Sequence, residues 1–221
     1  LRFVLGINQH RDKRRVETKY NELQQLVYSL GHDGRKYRRE ATRRMRAIVF
    51  EVYSAPRVAA TAKRFPRLGI LPGAALDLTT HDDTGLPWDF SVPSQRKKAE
   101  ELLDKEKPIL LIGSPSCTLF SNIQNLNKGQ IDPDVVQADL DRGRMHLAWC
   151  CYLYRKQVGR GAYFLHEHPA LATSWKERHV ERILGLPGVG KIVADQCQLG
   201  QEDEEGNPLR KPTGFMSNSP I

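Results

Sequence analysis

The chain has 221 residues, a formal net charge of +8 and 39% apolar residues, which fits one large domain or one domain carrying an extension. No stretch approaches the roughly 18 apolar residues of a membrane span, and Leu1–Leu5 is too short an apolar run for the core of a secretory signal, so neither a membrane partner nor export is expected. Its four cysteines, Cys117, Cys150, Cys151 and Cys197, form no C-x-x-C pair, a poor arrangement for disulfides or zinc that points to a reducing, intracellular setting.

The excess positive charge gathers between Arg11 and Arg46 and includes Arg43 and Arg44. Such clustering suits nucleic-acid phosphates, and a solvated helical face is the other reading. Apolar residues at Val16, Tyr20, Leu23, Leu26, Val27 and Leu30 have helical spacing. Gly31–Gly34 breaks that pattern, and Arg35–Arg46 reads as a second, very basic helix. Residues 1–47 are therefore expected to be a basic α-helical extension and 48–221 an α/β domain. The chain starts at Leu1 without Met and stops at Pro220-Ile221, which reads as a fragment of a longer polypeptide.

From Ile48 strands and helices alternate. Strands are expected at Ile48–Tyr53, Ala74–Leu78, Ile109–Gly113, Ala162–Leu165 and Lys191–Ala194. Helices are expected at Arg57–Phe65, Pro93–Asp104, Pro133–Val158 and Ser174–Leu184. This alternation predicts a Rossmann-like α/β fold with a mainly parallel sheet flanked by helices. Gln201–Pro208 reads as an acidic hairpin or loop.

Polar residues cluster at or near the strand ends: Glu51, Asp77, Cys117, Glu167 and Asp195. The carboxyl ends of parallel strands converge on one edge, where ligands bind in open α/β sheets. Cys117 follows an apolar run and a Gly-Ser-Pro turn, which makes it a candidate nucleophile, with a buried structural thiol as the other reading. His166 and His168 share one side of a strand and Glu167 takes the other. No third ligand accompanies the two histidines, and no metal is expected.

Ser-Pro-Ser-Cys-Thr-Leu-Phe-Ser, around Cys117, resembles the Pro-Cys-Gln-x-Phe-Ser loop of cytosine-5 DNA methyltransferases. Phe-Leu-His-Glu-His-Pro, about fifty residues later, is similar to that family's Glu-Asn-Val segment. Asp195–Gly200 followed by Arg210–Asn218 resembles a Cys-x-Tyr/Phe-Gly and Lys-Pro-Thr pattern of phage-type and retroelement-encoded relatives. The resemblance implies a class I methyltransferase fold, S-adenosylmethionine as cofactor and DNA as partner, in the nucleus or wherever that DNA resides.

Carried over by motif, Cys117 attacks C6 of an extruded cytosine and Glu167 hydrogen-bonds its N3 and amine. The cofactor falls to Glu51, Tyr53, Ser54, Asp77, Asp89 and Pro115. Glu51–Arg57 lies where the family has a Gly-rich turn but contains no glycine, the residue that normally lets backbone approach a ligand closely. Asp89 reads equally well as a turn or capping residue. Arg210, Lys211, Arg43 and Arg44 are expected on nucleic acid, and Ser121 and Gln124 either touch substrate or cap a helix. The competing expectations are a catalytically degenerate nucleic-acid-binding module and a SAM enzyme acting on another substrate.

Overall fold

A computed structural model describes residues 47–121 and 132–219; the expected basic helices lie outside the described residues. The first strand, β1, spans Ala47–Val52. Helix α1, Val58–Arg64, turns back to pack on strand β2, Ile70–Leu76. Helix α2, Pro93–Glu106, begins with its proline in the first turn, where a missing N–H costs nothing. Strand β3 is Leu110–Gly113 and helix α3 is Pro133–Gly159, started by the Asp132 carboxylate, which accepts from the Asp134 amide at 2.9 Å. Strand β4, Tyr163–Pro169, helix α4, Arg178–Leu184, and strands β5, Gly190–Asp195, and β6, Pro212–Ser217, complete the order.

The six strands form one sheet in the order β2-β1-β3-β4-β6-β5. β1, β3 and β4 run parallel, and β6 is antiparallel to both β4 and β5, so β5 shares the direction of β4. Helices flank the sheet, with α3 packed on β3 and β4. Leu147, Cys150, Leu153 and Tyr154 of α3 are buried, and the Tyr154 ring stacks on Phe164 of β4 at 4.6 Å. Burying each such side chain contributes about 1.5–3 kcal/mol, so this seam is a main source of the fold's stability.

The α/β expectation holds, with four local differences. β2 starts at Ile70 rather than Ala74, because Pro72 and Gly73 disguise an edge strand. A Cβ on Gly73 would meet Ile48 Cγ2 at 2.5 Å and the Val49 carbonyl at 2.7 Å, so glycine is what lets β2 lie against β1. β4 runs on to Pro169, which puts Glu167 inside the strand rather than beyond it. The expected single helix from Ser174 is split: a 3-10 turn at Thr173–Lys176 ends at Glu177, whose ψ of 134° is extended, before α4 begins.

The fourth difference is β6, which has no counterpart among the expected strands. Lys-Pro-Thr-Gly-Phe-Met-Ser carries Pro and Gly, yet Thr213–Ser217 is buried between two neighbours. Pro212 is tolerated as the first residue. Gly214 passes over Trp175, where a Cβ would fall 2.6 Å from Cζ2. Among the described residues, no helix is long and apolar enough to cross a membrane.

Candidate functional site

The carboxyl ends of β1, β3, β4 and β5 open on one edge of the sheet, together with the start of the reversed β6. In the β3–β4 pair Gly113 lies opposite His166. Continuing that alignment brings the Ser114–Cys117 loop alongside Glu167 and His168. Ser114, at the start of that loop, hydrogen-bonds Glu167, so the segment that carries Cys117 and the strand that carries Glu167 meet although they are far apart in the chain.

The loop is held by β4. His168 Nε2 donates to the Pro115 carbonyl at 2.7 Å, which leaves Nδ1 to accept from the Ser174 hydroxyl at 2.7 Å. Both ring nitrogens are thus used by a neutral imidazole, and burial pushes its pKa down to about 4. Thr173 Oγ1 donates to the Phe120 carbonyl at 3.2 Å and closes the other end of the segment. Cys117 is a free, half-buried thiol preceding the 3-10 turn Thr118–Phe120. Ser121 ends that turn, its amide donating to the Thr118 carbonyl at 3.3 Å.

Glu167 points to the opposite side of β4 from the two histidines, as alternation requires. Burial raises its pKa, against the lowering effects of Lys211, Arg57 and a hydrogen bond from Ser114. A carboxyl group biased towards its protonated form can donate to a ring nitrogen. His166 faces the core, with Nδ1 2.9 Å from the Tyr154 hydroxyl and Nε2 without a partner, so its imidazole serves the interior.

Beside this loop lies a cavity of about 250 Å³. Tyr53, Asp77 and Asp89, three of the predicted cofactor residues, line it together with Trp88, Phe90 and His146. Ser114 and Ser116, from the turn that carries Cys117, form part of the same wall. Asp77 accepts from the Thr79 amide and hydroxyl at 3.0 and 2.8 Å, and Asp89 accepts from the Ser91 amide at 2.8 Å. Asp89 is thus both a turn residue and a wall residue.

The remaining predicted cofactor residues are not among those lining the cavity. The Glu51 carboxylate is buried and accepts from the amides of Arg57, Val58 and Ala59 at 3.3, 3.1 and 2.7 Å. It satisfies the start of α1, whose first N–H groups have no partner within the helix. Ser54 donates to the Ala55 carbonyl at 2.9 Å, and Pro115 is buried with its carbonyl held by His168.

The turn without glycine acquires its unusual backbone in another way: Tyr53 itself has φ 56°. This left-handed conformation costs a non-glycine residue about 1–2 kcal/mol. It is held by a 2.9 Å bond between the Tyr53 hydroxyl and His146 Nδ1, and by edge contacts with Phe90 and Trp149 at 4.9 and 5.9 Å. His146 reaches Ser91 Oγ through Nε2 at 3.3 Å, and burial lowers its pKa. A histidine in mid-helix carries no motif, so sequence reasoning had no signal for it.

Of the residues expected on nucleic acid, Arg210 and Lys211 are exposed where the chain enters β6. Arg210 pairs with Asp195 at 3.4 Å. Arg43, Arg44 and Gln124 lie outside the described residues. Neither a family model nor any curated protein sequence matches this chain.

Proposed function

We propose that this domain is a DNA cytosine-5 methyltransferase of the class I type, using S-adenosylmethionine. The observation that carries this reading is the β3–β4 register, which sets the Cys117 loop beside Glu167 next to an aromatic, acid-lined cavity. A mainly parallel sheet with the reversed β6 before β5 is compatible with that fold class.

The cavity suits the cofactor chemically. Tyr53, Trp88 and Phe90 offer ring faces and edges to an adenine and a sulfonium cation. Asp77 follows β2, where acidic side chains take ribose hydroxyls in nucleotide-binding sheets. Bound S-adenosylmethionine supplies the electrophilic methyl group.

The chain's own residues do the rest. The Cys117 thiolate adds to C6 of an extruded cytosine, forming a C–S bond and pushing ring electrons to C5. Glu167, biased towards its protonated form, supplies a hydrogen bond or proton at N3 and so stabilises that charge. Once C5 carries a methyl group, its proton passes to solvent, the C5–H electrons form the C5–C6 double bond, the C–S bond breaks so that the thiolate leaves, and the N3 proton returns to Glu167. His168 keeps the loop in position throughout by its bond to Pro115.

DNA containing 5-fluorocytosine tests this, because fluorine at C5 prevents the final elimination. With S-adenosylmethionine present, the wild type forms a denaturation-resistant adduct and Cys117→Ser forms none. Failure of the folded wild type to trap overturns the reading. Binding of DNA without any calorimetric signal for S-adenosylmethionine would instead favour a non-catalytic nucleic-acid-binding module.

A further inference from the structure

We propose that Arg57 and Lys211 form a two-sided clamp for the DNA phosphates flanking the base presented to Glu167. The inference rests on the base-modifying reading above and adds to it the residues that grip the substrate backbone. Ser114 after β3, Arg57 before α1 and Lys211 before β6 stand at the same edge of the sheet as Glu167, where the Ser114 amide donates to the Val52 carbonyl and the Ala170 amide to the Pro212 carbonyl. Both cations are near enough for their charge to act on the Glu167 carboxyl group. The two come from opposite sides of the site, since β1 lies beyond β3 while β6 lies on the other flank of β4.

Both side chains are exposed, and among the described residues neither enters an ion pair. Arg210 next door is different, being paired with Asp195 at 3.4 Å. Burial raises the pKa of Glu167, which weakens its hold on the two cations. Their backbones are anchored. The Arg57 amide donates to the Ala55 carbonyl at 2.6 Å and to Glu51 at 3.3 Å. The Lys211 carbonyl accepts from the Gln196 amide and the Thr213 hydroxyl, each at 3.1 Å.

Two cationic heads on fixed roots, astride a base-reading carboxyl group, match an anion that arrives with the base. A phosphodiester does so on each side of every nucleotide. Arginine and lysine are the residues that neutralise such phosphates, and each contact makes affinity salt-dependent. Arg57 stands alone after a Ser-Ala-Pro turn, outside any basic run, so charge clustering gives no hint of it.

The test is fluorescence anisotropy with a labelled duplex carrying one mispaired cytosine, titrated between about 50 and 200 mM salt without cofactor. The double variant R57A/K211A should bind at least tenfold more weakly at the low-salt end, with a log–log salt slope shallower by about two. R155A, which removes an exposed cation on α3, should match the wild type, and circular dichroism melts establish that all three chains are folded.

Wild-type affinity and slope in the double variant overturn the clamp, as does absence of DNA binding by the wild type. An unchanged slope with loss of the calorimetric signal for S-adenosylmethionine also overturns it, and assigns the two cations to the cofactor's carboxylate. Because this assay needs neither cofactor nor turnover, it separates from the trapping experiment. Failed trapping with a reduced slope sinks methyl transfer and supports the clamp; normal trapping with an unchanged slope does the reverse.

Discussion

His168 Nε2 donates to the Pro115 carbonyl at 2.7 Å, and this bond ties the strand bearing Glu167 to the loop bearing Cys117. Ser174 holds the other ring nitrogen at 2.7 Å, so the link is fixed at both ends. The geometry of the proposed site depends on an uncharged imidazole that touches no substrate.

That dependence predicts a pH effect. His168 titrates near about 4 in the folded chain and near about 6.5 when unfolded. The unfolded state therefore binds the proton more readily between these values. Stability is fully present above about pH 6.5 and falls towards pH 4, by about 2–3 kcal/mol for this residue. His166, also pushed down by burial, adds in the same direction. Urea titrations from pH 7.5 to pH 4.5 should show the decline, and His168→Gln should be less stable at pH 7.5 with a flatter profile.

Glu167 has the opposite sign. Its folded pKa is raised, so the folded state holds the proton more tightly and stability is lost as pH rises through the unfolded and then the folded value. Above both, the buried charge is a standing cost. Glu167→Gln should therefore melt at the same or a higher temperature at pH 7.5, and the difference should vanish in acid. Its adduct with 5-fluorocytosine DNA should form about 10²–10⁴-fold more slowly. A variant that gains stability while losing trapping separates chemistry from folding.

Glu51 lay among the expected cofactor residues, whereas its carboxylate is taken up by the amides opening α1. Glu51→Ala leaves those donors without their acceptor and should cost about 1–3 kcal/mol in urea unfolding. Calorimetric affinity for S-adenosylmethionine, measured on the folded fraction, should change less than twofold. A large loss of affinity without loss of stability would restore Glu51 to the cofactor.

Tyr53→Gly sets two effects against each other. Glycine relieves the left-handed strain at φ 56°, worth about 1–2 kcal/mol. It also removes the ring packed on Phe90, Trp149 and His146, and deleting such an aromatic costs about 3–5 kcal/mol when it is fully buried. Packing should win, leaving the variant about 2 kcal/mol less stable. Tyr53→Phe, which loses only the bond to His146, should cost about 1 kcal/mol. Thermal melts of the two variants rank the contributions.

Several features were legible before any coordinates. Apolar runs ending in turns are local signals, which is why β1, β3, α2 and α3 lie within one or two residues of their expected ends. The motif segments around Cys117 and Glu167 were equally visible, because each is contiguous. β6 was not, since its burial comes from neighbours on both sides rather than from its own pattern. His146 and Arg57 were invisible for the same reason, each drawing its significance from residues distant in the chain.

The chain by itself determined an alternating α/β order, a cysteine in a turn after a buried strand and a carboxylate just past a later one, because periodicity and turn chemistry are written in adjacent residues. Only the tertiary structure decided which polar groups face the open edge and which are used up inside. Glu51 went to a helix start and His166 to the core, while Tyr53, Asp77 and Asp89 went to the cavity. The physical reason is that a buried polar group must find a partner, and the available partners depend on strand order and register.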